Sequence, residues 1–455
     1  MKTVFSLLTF LGVSVTAPAQ TVIVRDPVIA QLVGEVSADS LRSHVTNLVS
    51  FGTRHTLSNR TDPKRGLGAA QKWVLGKFQQ YAKQSGGRLT AQMDTWTLQA
   101  DGKRVDQVTQ MGNVMATLKG TDPADDRIFL VSGHIDNRVT DVMNRTADAP
   151  GANDDGSGTA AVIELCRVMS KVPFPATIVF VAVSGEEQGL LGADHLAGRA
   201  KNEKWNLEAL LNNDIMGSNN SPDTKITDNT RVRVFSEGLP GYQTDSVAAN
   251  IRQYGLENDG KSRQLARYTK EVGERYVDQL EVVMVYRNDR YLRGGDHTPF
   301  VTRGFPAVRI TEMNENFAHQ HQDLRTQDGV EYGDYVKFMD FEYLRKNTGM
   351  NLAVLANLAK APAMPQNVTV EARNLTNATT LFWQAPKAGA SAGRKIKGYY
   401  VLMRETHWPF WQKKFFTDKL GLTIPYSKDN YFFAVQAVSE DGNESLPVVP
   451  RPGLR

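Results

Sequence analysis

Acidic and imidazole side chains gather in short clusters along the chain: His134 and Asp136 in GHID, Asp154 and Asp155 in GANDDGSG, Glu186 and Glu187 in SGEEQG, Asp214 at the end of EALLNND, and His319, His321 and Asp323 in FAHQHQD. Imidazole nitrogens and carboxylate oxygens without a thiolate among them suit zinc or a related divalent cation in an open catalytic site. So many carboxylates do not converge unaided, because like charges at close range raise one another's pKa. A pair of cations about 3.5–4 Å apart would neutralise them, and one carboxylate must then bridge the pair. Asp154 sits at a glycine-rich corner where the backbone can bend sharply, which makes it the candidate bridge, with Asp155 bracing the loop. The plainer account of GANDDGSG is a turn and a helix cap, since Asn, Asp, Ser and Gly are the residues of turns and caps.

The elements that must position these groups decide between the two accounts. RIFLVSG (127–133), ATIVFVAVSG (176–185) and FPAVRIT (305–311) are apolar runs without polar alternation, as in strands buried on both faces. Helical periodicity marks 36–50, 67–84, about 157–171 and 189–201. The alternation predicts an α/β domain built on a mixed, largely parallel sheet flanked by helices. RIFLVSG runs into His134, ATIVFVAVSG into Glu186, EALLNN into Asp214, and FPAVRIT leads by a short loop to His319. In open α/β sheets, ligands bind outside the carboxyl ends of the strands, and every cluster falls at such an end. The stretch between Gly217 and Gly294 gives no clear pattern.

Around AKAPAMPQ (359–366) the texture changes to an Ala/Pro linker. Beyond it, NVTVEA, TTLFWQA, KGYYVLMRE and NYFFAVQAVSEDGNES carry short two-residue alternation with regular turn signals. These predict a small all-β sandwich domain over 367–455, with Trp383 and Tyr431 among its core aromatics. This tail resembles a fibronectin type III module and is expected to pack against its neighbour or act as a spacer, with binding of polysaccharide, a cell surface or substrate as the other reading.

The chain has 455 residues, too many for one ordinary domain, and 41% hydrophobic against 22% charged residues, the balance of a core-forming protein. A formal net charge of +4 with no Lys/Arg block does not suggest a nucleic-acid partner, and none is expected. Residues 1–19 carry one lysine, an apolar stretch from Val4 to Val15 and the small-residue pattern Ala17-Pro18-Ala19, which predicts a secretory leader cut after Ala19. The expected product is secreted or periplasmic, with no lipid-attachment cysteine and no integral membrane segment. The one cysteine, Cys166, lies in an apolar helix and is expected to be a small buried hydrophobe.

The ordered set GHID, GANDDGSG, SGEEQGLLGA, NND, GGDHTPF and HxxxD, over roughly residues 40–358, resembles the secreted di-zinc exopeptidases of the leucyl-aminopeptidase type, in metallopeptidase clan MH. The resemblance implies a peptidase domain over 20–358 that binds two zinc ions and hydrolyses terminal bonds of peptide or protein substrates. His134, Asp154 and Asp214 resemble the ligands of one zinc. Asp154, Glu187 and His319 resemble those of the other. The four-residue step to Asp323 selects His319, with His321 as its rival and Asp323 as an outer partner. Glu186 resembles the general base, and Asp136 the carboxylate that orients His134 through its other ring nitrogen. Asp296 and His297 in GGDHTPF are placed near the substrate, and Arg54 is expected to be a structural ion-pair partner. The resemblance favours an aminopeptidase. A carboxypeptidase with the same metals, a single-zinc glutaminyl-cyclase-like transferase and a non-catalytic binding ectodomain remain open.

Overall fold

The structure, a computed structural model, describes residues 23–238, 245–387 and 395–452. The expected leader, residues 1–19, lies outside the described residues. Three helices come first: α1 (Pro27–Gly34), α2 (Ala38–Val49) and α3 (Leu67–Ala82). The alternating core follows with β1 (Leu89–Leu98), β2 (Thr109–Leu118), β3 (Arg127–His134), α4 (Gly156–Met169), β4 (Thr177–Val183), α5 (Leu191–Asn202) and β5 (Asn206–Asn213). A small hairpin of β6 (Asn220–Ser221) and β7 (Ile226–Thr227) leads to β8 (Arg231–Phe235), α6 (Asp245–Tyr254), α7 (Lys261–Tyr276) and β9 (Glu281–Val285). Next come α8 (Thr298–Thr302), β10 (Ala307–Glu312), the hairpin β11 (Arg325–Gln327) and β12 (Val330–Tyr332), and the long α9 (Phe341–Lys360).

Eight strands form one sheet in the order β1-β2-β4-β3-β5-β10-β8-β9. Its centre, β4-β3-β5-β10, is parallel throughout, and antiparallel pairings at β2 and β8 make the whole sheet mixed. The central strands are apolar on both faces because both are covered. Phe129 and Val131 of β3 and Ile178 and Phe180 of β4 pack with α2, α3, α4 and α9, whereas Leu130, Val179 and Val181 pack with α5 and α8. EALLNN proves to be the end of β5. Cys166 is fully buried and free, as its place in α4 predicts.

The helix starts are set by side chains. Ser37 accepts from Ser40 N at α2, Asp340 from Glu342 N and Tyr343 N at α9, and Asp155 from Gly158 N at α4. An oxygen there satisfies an amide that has no intrahelical partner. At the mouth of α4 two glycines permit close approach of the backbone. A Cβ on Gly133 would collide with the backbone of Gly158, and one on Gly158 would come within 2.5 Å of the Asn213 carbonyl oxygen. The ends of β3 and β5 are thereby drawn against the first turn of α4.

α9 runs to Lys360, so the connection to the last unit is shorter than the expected 359–366. There, β13 (Gln366–Val370), β14 (Thr379–Gln384), β17 (Gly421–Ile424) and β19 (Arg451–Pro452) form one sheet, and β15 (Ile396–Glu405), β16 (Lys413–Thr417) and β18 (Tyr431–Ser439) another. Val368, Leu381, Trp383 and Ile424 from the first meet Val401, Met403, Phe415 and Val435 from the second, which makes a sandwich. Among the described residues no helix is long and apolar enough to cross a membrane.

The sandwich is seated on α7 by buried charges. Asp259, just before α7, pairs with Arg404 at 2.7 Å and with Arg267 at 2.9 Å. Arg275 grips both oxygens of Glu444, at 2.8 and 2.9 Å, and Tyr268 donates to the Glu444 carbonyl. Burial raises the Glu444 carboxyl, but Arg275 and Lys414 outweigh it and hold it below the usual glutamate range. Removing one partner of such a pair strands the other charge. Arg275→Ala should therefore cost about 3–5 kcal/mol, read as a lower midpoint in denaturant unfolding. A depressed carboxylate contributes stability above its unfolded pKa of about 4.3, and that contribution is lost as the pH falls through the folded value. The wild-type protein should lose this increment below about pH 4, whereas Glu444→Gln should show a flatter acid limb in the same measurement.

Candidate metal centre

β3, β4 and β5 end side by side, so the residues that follow them share one edge of the sheet. His134 closes β3, Glu186 and Glu187 follow β4, Asp214 follows β5, and Asp154 stands in the loop that opens α4. The Asp154–Asp155 peptide is cis. One oxygen of Asp154, Oδ1, lies 3.2 Å from His134 Nε2, which is itself 3.7 Å from Asp214 Oδ1. The other oxygen, Oδ2, lies 2.8 Å from His321 Nε2, which is 3.0 Å from Glu187 Oε1. His134, Asp154 and Asp214 thus form one triad and Asp154, Glu187 and His321 a second, each with its donor atoms within 4.8 Å of one another. A third grouping at the same spacing joins Glu186 to His134 and Glu187.

The imidazole in the second triad is His321 and not His319, which corrects the expectation drawn from the four-residue step to Asp323. His321 takes a left-handed backbone conformation (φ 55°) that the sequence pattern does not announce. His319, two residues earlier, stacks its ring on Phe338 with centroids 3.7 Å apart. Asp323 is exposed, and its amide donates to Thr140 Oγ1, so it braces neither imidazole.

Asp136 is also placed differently in detail. The ring nitrogen Nδ1 of His134 meets the Asp136 backbone carbonyl at 3.0 Å, while the carboxylate stands 3.8 Å away. That carboxylate accepts from the amides of Gly185, Glu186 and Glu187 and from Thr56 Oγ1. Asp136 therefore positions His134 through its main chain and the two glutamates through its side chain. Asp155 behaves as expected of a brace, accepting from His134 N, Gly158 N and Ile215 N.

Among the described residues Arg54 makes no ion pair of the expected kind. Its buried guanidinium donates to the carbonyls of Leu48, Ile135, Pro150 and Gly151, clasping the loop that carries Asp154. Asp334 accepts from Asn153 N and Asp154 N on the other side of that loop. Asp296 is buried with neither oxygen hydrogen-bonded among the described residues, and burial, with Asp136 and Asp214, pushes its carboxyl up to about 8. His297 is fully buried and its Nε2 meets the Asn288 carbonyl.

Three arginines and a glutamine at the centre escaped the sequence reading. Arg309 pairs with Asp214 at 3.0 Å and with Asp289 at 2.6 Å. Arg138 donates to Glu187 at 3.0 Å and to His321 Nδ1 at 2.7 Å, Arg104 donates to the Glu187 carbonyl, and Gln320 donates to Asp154 Oδ2. One signal was available: an arginine inside FPAVRIT, a strand buried on both faces, requires a carboxylate partner.

The electrostatics test whether a cation fits. Burial lowers the affinity of His134 for a proton, yet Asp155, Asp154 and Asp214 raise it well above the ordinary histidine value. Burial opposes protonation of His321 too, but Glu187 and Asp154 push it up to about 10. Burial works to raise the carboxyls of Asp154 and Asp214, and the imidazoles and Arg309 hold both below the usual range. Two imidazoles, His134 buried and His321 half-buried, driven towards the charged form mark a pocket short of positive charge. A divalent cation would supply that charge, and the donor set of nitrogen and oxygen, three per triad, matches zinc in an open site.

Comparison with known proteins agrees. The sequence model of peptidase family M28 matches residues 113–332. A protein of Leptosphaeria maculans named "probable zinc metalloprotease" is 44% identical over 97% of this chain and 100% of its own. Among solved structures, the LapA aminopeptidase of Legionella pneumophila superposes with a TM-score of 0.52 at 17% identity, over 79% of this chain and 80% of that one. An aminopeptidase from Aneurinibacillus sp. strain AM-1 gives 0.51 at 14% identity, over 72% and 95%. At those identities the two structures show a shared fold.

The geometry separates the two histidines experimentally. His321→Ala should lower retained metal by about one equivalent per chain after dialysis, measured by atomic emission, and His319→Ala should leave it unchanged.

Proposed function

The chain belongs to peptidase family M28, the zinc metallopeptidases, and from that premise we propose that it is a di-zinc exopeptidase acting as an aminopeptidase. The observation that carries this reading is the carboxylate of Asp154, whose two oxygens face two different imidazole–carboxylate pairs. His134, Asp154 and Asp214 would hold one ion, and Asp154, Glu187 and His321 the other. Bound there, zinc supplies Lewis acidity at neutral pH.

The chain's own groups do the rest. Glu186 stands beside His134 and Glu187, outside the two triads, and lines the cavity that opens on them. It accepts the proton of the attacking water and delivers it to the departing amine. Asp136 positions it by accepting from its amide. Arg309 holds Asp214 and Arg138 holds Glu187, which fixes both carboxylates before any substrate arrives. Peptides or proteins with an accessible end are the substrates. The proposal includes export directed by residues 1–19, supported by the apolar stretch and small-residue pattern there.

Glu186→Gln should lower kcat by about 10²–10⁴-fold while retained metal stays at the wild-type level. Peptides blocked at the amino end should resist the wild-type enzyme, and those blocked at the carboxyl end should be cut. A Glu186→Gln enzyme with full activity would remove the proposed base, and the reverse blocking pattern would make the enzyme a carboxypeptidase.

A further inference from the structure

The cavity over the metal centre, about 260 Å³, is smaller than the roughly 300–1,000 Å³ of drug-sized sites and suits a single residue. Four guanidiniums line it: Arg104, Arg138, Arg290 and Arg293, with Leu190 and Leu292 among the apolar lining. Arg104 and Arg138 lean on Glu187, the first through the backbone carbonyl and the second through the carboxylate. Arg290 and Arg293 come from the segment between β9 and α8.

Those last two are under-neutralised. Both place Nη1 2.8 Å from the same oxygen of Glu315, and the other oxygen of Glu315 already takes Arg233 at 2.8 Å. Arg290 also reaches Asp289 at 3.2 Å, but Asp289 is shared with Arg309. Arg309 spends its other arm on Asp214. Arg233, Arg290, Arg293 and Arg309 therefore divide Glu315, Asp289 and part of Asp214. Burial raises Glu315, yet Arg290, Arg293, Arg309 and Arg233 drive it down to about 2, which reflects the surplus of positive charge around it.

A neutral residue entering this cavity would cover guanidinium donors without satisfying them, which is costly. A carboxylate would pair with them in forked geometry. We infer that Arg290 and Arg293 are specificity-determining residues that bind a substrate carboxylate beside the scissile bond. This rests on the terminal-hydrolase reading above. The shared chemistry is a carboxylate, carried either by an acidic terminal side chain or by the free carboxyl end of a short peptide.

The test uses the full zinc-loaded protein. Glutamyl and leucyl p-nitroanilides probe the side-chain source, and Leu-Gly with a free or amidated carboxyl end probes the other. In one arm, kcat/KM for the carboxylate-bearing member should exceed its neutral partner by about tenfold or more, mainly through KM. Arg293→Ala should bring that ratio close to 1, and Arg293→Lys, which keeps a charge for Glu315, should restore part of it. Calorimetry supplies a second measurement that needs no turnover: free glutamate or glycylglycine should bind more tightly than leucine or glycinamide, respectively, and Arg293→Ala should remove the difference. Equal ratios in both arms together with equal binding would overturn the inference. Failure to hydrolyse any of these substrates, with the binding difference intact, would instead count against the proposed reaction and leave the anion subsite standing.

Discussion

Four carboxylates, those of Asp154, Glu186, Glu187 and Asp214, are held around two imidazoles at the edge of one sheet, and nearly every unusual feature nearby answers to that concentration of charge. Carboxylates brought this close repel one another, and burial strengthens the repulsion by thinning the solvent between them. The scaffold therefore has to hold them by other means. Asp155 ties three backbone amides together beneath Asp154, Asp136 ties three beneath Glu187, and Arg309 clamps Asp214 from behind. The first turn of α4, whose Gly158 amide Asp155 takes, adds the positive end of its dipole. Arg309 offsets part of the repulsion and the two aspartates fix the backbone that carries the cluster, and none of the three consumes the oxygens that face one another.

This requirement reaches into the packing. The carboxyl ends of β3 and β5 must sit against the start of α4, so Gly133 and Gly158 meet with no room for a side chain between them. Arg54 then spends its guanidinium on one carbonyl of α2 and three of the surrounding loops, and burial draws its own pKa down to about 10. A cation committed to backbone oxygens adds rigidity and no new carboxylate. That is why it differs from the ion-paired arginines farther out.

The parts of this arrangement written in local pattern were legible beforehand. Apolar runs without alternation mark β3, β4 and β10, and the structure brings the residues that follow β3, β4 and β5 into one cluster. The loop after β10 was not legible. There the choice between His319 and His321 depends on a single left-handed residue and on Phe338, which captures the His319 ring from a different part of the chain. Spacing rules carry across regular elements, but an irregular loop shifts phase at every turn. The stretch from Gly217 to Gly294 failed for a related reason. α7 is covered on more than one side, by α9 and by the sandwich, so its exposed and buried faces do not separate into one simple stripe.

That same helix links the terminal sandwich to the metal centre. Arg267 of α7 donates to the Pro409 carbonyl of the sandwich and lies 3.2 Å from the Tyr286 hydroxyl. Tyr286 donates to Pro409 as well, and the Arg263 guanidinium stacks 3.6 Å over its ring. Tyr286 is the root of the segment that carries Arg290 and Arg293 to the cavity. The segment's far end is held by Glu315 in the loop after β10, the same loop that supplies His321. The sandwich, none of whose described residues lines the cavity over the candidate metal centre, thus anchors one wall of that cavity through a tyrosine and an arginine that also help to seat it. Its contribution is mechanical: it fixes where the surplus positive charge stands relative to Asp154.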